Sequence, residues 1–184
     1  MDNQYPMVYV NKMAKEMDKV VGEKLRNEIL KGCENLTSKD NKEKRADAMK
    51  CVMSNMELLL EEKDIIQIRE ECACKPQKFI KVVNKIKSDT INYNERLKKL
   101  QDTGFAGAVT KENENTFRVE FRTNYCFCGM VGKSKTNIPL SWCHCCKEHI
   151  KWLYEKTLER EFSVGLVTSI IAGGEDCVFM MSQK

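Results

Sequence analysis

The residues of this chain that could carry chemistry are its ten cysteines and two histidines, and they are unevenly placed. Cys126-Phe127-Cys128-Gly129 is followed, after thirteen further residues, by Cys143-His144-Cys145-Cys146, with His149 just beyond. Five of the cysteines and both histidines thus fall between Tyr125 and Ile150. A third Cys-x-Cys pair, Cys72 and Cys74, lies upstream in a segment that otherwise reads as helix. Reduced thiols at such spacing point to metal binding or thiol chemistry rather than to a disulfide framework. Cys33 and Cys51 stand alone in helical patterns and read as small core hydrophobes.

Four thiolates around zinc sit at Zn–S distances near ~2.3 Å, which puts the sulfurs within ~4 Å of one another. Residues i and i+2 of a strand share a face but are roughly 6.6 Å apart. On a helix the same pair is about 200° apart around the axis. A Cys-x-Cys pair can therefore chelate one ion only where the backbone bends. Pro76 follows Cys72 and Cys74, Gly129 follows Cys126 and Cys128, and a helix start follows Cys143 and Cys145. The candidate ligands are accordingly Cys72, Cys74, Cys126, Cys128, Cys143 and Cys145, with Cys146 in reserve. Zinc is the leading ion, ahead of iron or an iron–sulfur cluster. If helix begins before Cys143, Cys143 and Cys146 share a face and Cys145 points away; the spacing leaves both arrangements open. A helix N-terminus also lowers thiol pKa values, so Cys145 or Cys146, with His149, is the candidate nucleophilic set.

The elements that must position these sulfurs follow from periodicity. Val10, Met13, Met17, Val20, Leu25 and Ile29 predict a helix over residues 6–31, and Ala46 to Leu60 a second from about Lys42. A short helix carries Ile65, Ile66 and Ile68 into Cys72, Pro76 opens another, and a further one spans 90–100. Residues 105–109 and 116–121 read as strands around a polar turn, with Phe117, Val119 and Phe121 on one face. A helix after Cys146 and two strands, 162–171 and 177–181, complete the chain. The fold class is α+β: a helical region, 1–103, and an α+β region, 104–184, forming one integrated domain around a small antiparallel sheet.

Charge and hydropathy exclude some roles. The 31 basic and 27 acidic residues are interleaved, with no lone basic run, which argues against nucleic-acid binding. No apolar run reaches the ~18–20 residues of a membrane span. The N-terminus has no basic segment followed by an apolar one, so no signal peptide is expected and the protein is placed in the cytoplasm.

The run from Tyr125-Cys126-Phe127-Cys128-Gly129 through Cys143-His144-Cys145-Cys146 to Lys151-Trp152-Leu153-Tyr154-Glu155 resembles a group of uncharacterised bacterial and archaeal proteins. So does the closing Gly174-Glu175-Asp176-Cys177-Val178-Phe179. The wider likeness, over about residues 104–182, is to vinyl-reductase-like domains and to the aminothiazoline-carboxylate hydrolase-like family. That resemblance implies an α+β module binding a small hydrophobic ligand. Two departures limit it: Cys146-Lys147-Glu148-His149 replaces the relatives' Ser-x-Gly-aromatic, and the strand before the last hairpin lacks the acid and cysteine of the phenol sensors' zinc site.

Three functions follow. The first is a metal-stabilised small-molecule-binding or sensing domain, with Met53, Phe79, Phe117, Trp142 and Trp152 among the candidate pocket residues. The second is a hydrolase using metal-bound water or the Cys145/Cys146–His149 set. The third is a redox or metal sensor built on the same thiols. A homodimer or a protein partner is compatible with each.

Overall fold

A computed structural model describes residues 4–184. Six helices come first: α1 (Val8–Val20), α2 (Gly22–Ile29), α3 (Lys42–Leu59), α4 (Glu62–Glu71), α5 (Gln77–Asp89) and α6 (Tyr93–Asp102). Strands β1 (Ala108–Lys111) and β2 (Thr116–Glu120) follow. A 3-10 turn over Leu140–Cys143 then leads into α7 (His144–Leu158), and β3 (Phe162–Thr168) and β4 (Val178–Gln183) close the chain. The sheet is antiparallel throughout, in the order β1-β2-β4-β3. The fold is α+β, as the order of elements predicts.

Local chemistry sets the boundaries. Asn41 caps α3 by accepting from the Lys44 amide at 2.8 Å, and Asn92 caps α6 by accepting from the Glu95 amide at 3.0 Å. Pro76 is extended and directly precedes α5. The single helix expected over residues 6–31 is instead two, α1 and α2. Gly22 adopts a φ of +81° between them, and this left-handed step ends one helix and re-aims the next. The strand expected from Phe105 begins at Ala108, and the one expected to reach Ile171 ends at Thr168, where a 3-10 turn over Ile170–Ala172 takes over.

Two apolar cores organise the packing. The first joins Met13, Met17, Met49, Met53 and Met56 of the N-terminal helices to Cys126, Val131, Ile138, Trp142, Cys143 and Cys145. The second packs Phe117, Val119, Phe179 and Met181 against Ile150, Leu153, Tyr154 and Leu158 of α7 and Val83, Ile86 and Leu100 of α5 and α6. Cross-strand register pairs Phe117 with Met181 and Val119 with Phe179, so alternate residues form one continuous apolar face. Tyr154 Oη donates to the Ala106 carbonyl at 2.9 Å, which fixes α7 to the entry of β1. Neither core belongs to the residues before 104 or after them alone; α7 contributes to both.

The loop carrying Cys126 and Cys128 folds back through a Gly132 amide bond to the Cys128 carbonyl, 2.7 Å. A Cβ at Gly132 would run into the Cys126 and Cys128 carbonyl oxygens, whereas one at Gly129 would meet nothing within 4 Å. Gly132→Ala is therefore expected to lower stability by about 1–3 kcal/mol, the usual cost of overpacking. Gly129→Ala should change it by no more than about 0.5 kcal/mol. Urea denaturation of the two variants checks this; equal losses would show that the loop yields freely.

Candidate thiol centre

α4 presents Ile65, Ile68, Arg69 and Cys72 on one stripe, and this stripe faces inward. Arg69 is fully buried. Two other arginines are buried as well, but Arg26 pairs with Asp18 and Arg96 with Glu159. The hydrogen bonds of Arg69 end instead on a carbonyl and on sulfur. Nε and Nη2 donate to the Trp142 carbonyl at 3.2 and 2.8 Å, Nη1 donates to Met13 Sδ at 3.4 Å, and Nη2 donates to Cys145 Sγ at 3.3 Å. The guanidinium carbon lies 3.9 Å from the centroid of the Trp142 ring and 5.8 Å from that of Tyr9. This is a stacked cation whose nearest anion can only be sulfur.

Burial works against the charge on Arg69, the neighbouring Cys145 sulfur favours it, and the guanidinium stays protonated. Tyr9 is pushed far up by burial, and its hydroxyl is buried without a hydrogen-bond partner. Cys145 is pulled down to about 6. Hydrogen bonding from Cys146 contributes most, burial opposes it, and the charge and contact of Arg69 add to the lowering. Both Cys146 and Arg69 thus favour the thiolate form of Cys145. Protonated, its thiol can turn to the Trp142 carbonyl, 3.5 Å away.

Of the surrounding thiols all but Cys143 are shifted toward the protonated form. Burial pushes Cys72 and Cys128 up to about 11 and Cys126 up to about 12, and it raises Cys74 and Cys177 too. Cys146 is raised far above its ordinary value as the hydrogen-bond donor to Cys143 and Cys145. Cys143 is lowered by Cys146, against burial, and its Sγ lies 3.2 Å from Ser169 Oγ. The sulfurs influence one another across the cluster: Cys72, Cys74 and Cys128 lie near Cys145, Cys126 near both Cys128 and Cys143, and Cys146 bridges Cys143 and Cys145. Because the 3-10 turn reaches Cys143 and α7 begins at His144, Cys143 and Cys146 interact and Cys145 turns toward Arg69.

These placements sort the expected site residues. Among the described residues, no three or more His, Cys, Asp or Glu side chains form a group that could hold a metal ion. Within the expected four-sulfur set, the Cys145 sulfur takes a hydrogen bond from Arg69 and the Cys143 sulfur lies 3.2 Å from Ser169 Oγ. Cys72 is buried and Cys74 exposed. His149 lies apart from the thiols: its Nδ1 is hydrogen-bonded to the Cys74 carbonyl, which requires the proton on that nitrogen, and its ring sits 5.4 Å from Phe79 and 5.8 Å from Trp152. His144 is half-buried with Nδ1 unpartnered. Met53 and Trp142 fill the first core, Phe117 belongs to the second, and Phe79 stacks on Phe105 at 4.1 Å. Of these five pocket candidates, Phe117 lines a shallow cleft of about 280 Å³ beside Tyr93.

Sequence reasoning missed Arg69, Tyr9 and Ser169. Arg69 left a signal: it occupies a position of the apolar stripe between Ile65 and Cys72, where an arginine must find a partner.

Fold and site together define a cysteine-rich α+β protein with a buried arginine hydrogen-bonded to a cysteine sulfur. The chain belongs to the family of unknown function DUF6144, whose profile it matches over residues 7–184. No curated protein matches it. No helix among the described residues is long and apolar enough to cross a membrane.

The pair has a pH signature. The folded value of Cys145, about 6, lies below the ~8.5 of an unfolded thiol. Its contribution to stability is therefore full above ~8.5, declines as pH falls through that window, and is gone below about 6. Ultraviolet thiolate absorbance should titrate with a component near that lower pH, absent in Cys145→Ser and moved toward the ordinary thiol value in Arg69→Met. An unchanged titration in Arg69→Met would break the assignment.

Proposed function

We propose that this protein is a thiol-based redox sensor whose reactive group is Cys145. The reading is carried by one observation: a fully buried arginine whose counter-ion is a cysteine sulfur. Oxidation of that sulfur removes the anion and leaves the guanidinium unpaired, so a two-electron event becomes a packing event. An uncompensated buried charge costs about 3–5 kcal/mol. It falls on the contacts of α4 with α1 and α7.

The chemistry balances with a hydroperoxide as oxidant. The Cys145 thiolate attacks the O–O bond, an S–O bond forms, and the leaving alkoxide or hydroxide takes a proton. The resulting sulfenic acid is attacked by a neighbouring thiol; the S–O bond breaks, water leaves, and a disulfide forms. Arg69 favours this first step at Cys145 by holding the thiolate and donating to the developing charge. Cys128, on the facing loop and half-buried, is the resolving thiol. A reducing compartment such as the cytoplasm suits the reading, because the resting state is the dithiol.

Two other readings are less well supported. A hydrolytic thiol needs His149 as base, and among the described residues that ring is hydrogen-bonded to the Cys74 carbonyl and to no thiol. A metal-stabilised ligand-binding domain needs several of these sulfurs gathered around one point, and among the described residues no group of three or more such side chains is formed.

One equivalent of hydrogen peroxide should convert Cys145 to a disulfide with Cys128, located by peptide mass spectrometry. It should also lower the urea midpoint of the wild type while leaving that of Arg69→Met nearly unchanged. A Cys143–Cys146 disulfide with Cys145 intact would overturn the assignment of the reactive group. One zinc per purified chain with four shielded thiols would replace this reading with the metal-stabilised one.

A further inference from the structure

Beside the cysteine loop lies a cleft of about 310 Å³, open to solvent. Its walls come from residues 124–126, the 133–137 segment and the 3-10 turn at Ile170 and Ile171. The turn and the segment are tied by the Ile138 amide, which donates to the Ile171 carbonyl at 2.8 Å.

The polar groups facing this cleft form a set. Lys133 is held at a φ of +68°, a left-handed conformation that a side-chain-bearing residue adopts only when its surroundings impose it. Its ammonium lies 4.8 Å from the Tyr125 ring centroid, at the edge of the cleft, and no carboxylate pairs with it among the described residues. Next to it the Ser134 hydroxyl is buried and has no hydrogen-bond partner. A buried hydroxyl left unmatched is an unusual cost unless something else satisfies it. Asn124 and Asn137 add exposed amides. Thr136 is already engaged: its hydroxyl donates to Asp47 at 2.6 Å, while Glu43 accepts from the Lys135 amide at 2.9 Å. Those two carboxylates brace the segment from the α3 side.

We propose that this cleft binds a small carboxylate of amino-acid size, received by the Lys133 ammonium and the Ser134 hydroxyl, with Asn124 and Asn137 holding the rest of the molecule. At the ~30 Å³ that a water-sized group occupies, the volume admits about ten heavy atoms. An apolar ligand would leave the ammonium and the hydroxyl unanswered, and a cation would meet Lys133. The inference stands apart from the thiol reading, although Cys126 forms part of the same wall.

Calorimetric titration of the full chain with succinate, against its neutral diamide of the same shape, tests the proposal. Succinate is expected to bind saturably in the millimolar range or better, and the diamide about tenfold more weakly, the factor for losing one charge-assisted hydrogen bond. Lys133→Met should cost about tenfold and Ser134→Ala severalfold, with thermal unfolding unchanged in the first and unchanged or raised in the second. Should the variants prove unstable, the comparison of succinate with its diamide on the wild type still decides the matter. Equal binding of the two probes, no binding of either, or full affinity in Lys133→Met would overturn the site.

Discussion

The arrangement of this protein depends on burying a guanidinium without a carboxylate. Taking an arginine out of water costs several kcal/mol even after relaxation, and Arg69 recovers that cost from three directions. The Trp142 ring lies against its face, the Trp142 carbonyl takes two of its donors, and Cys145 supplies the charge. Each partner comes from beyond residue 140, whereas Arg69 belongs to the helical segment. The contact therefore acts as the clasp between the two stretches of chain, and it fixes the 3-10 turn that decides which way Cys143, Cys145 and Cys146 point.

Much of the fold was legible because its determinants are local. Asn41 announces the start of α3 through a hydrogen bond three residues long, and the alternation Phe117, Val119 foretells the buried face of β2, whereas the helix expected from residue 90 starts only after its cap, Asn92. The importance of the cysteines was legible too, from their density. Their grouping was not. Cys72 and Cys74 are two residues apart, yet the chain leaving α4 buries one and exposes the other. Whether Cys145 or Cys146 would face inward depended on where α7 begins, which is set by Trp142 packing on a side chain 73 residues away. Periodicity carries no information about such pairings. An arginine in an apolar stripe does carry some: it states that a partner exists, without saying which.

The two cores differ in a way that suits the site between them. The second is a sheet face of aromatic and branched residues against α7, with cross-strand pairs that leave little freedom. The first is rich in methionine, whose unbranched thioether side chain adapts to altered neighbours. Met13 is both part of that core and an acceptor for Arg69. Any rearrangement of the guanidinium is thus absorbed on the helical side, while α7 keeps its place on the sheet. Sulfur chemistry at the start of α7 would move α1 and α4 before it moved the strands.

Selectivity among so many thiols follows from the same electrostatics. Burial alone would hold every sulfur in the cluster protonated, as it does for Cys72, Cys126 and Cys128. A single buried cation can neutralise one thiolate, and a second anion nearby would be opposed by the first. Cys145 takes that position because it combines the Arg69 contact with a hydrogen bond from Cys146. Reactivity toward a two-electron oxidant rises with thiolate content. In the proposed reading, Cys146 and Arg69 together rank the cysteines by reactivity, and the arginine makes the fold sensitive to the charge of the one ranked first.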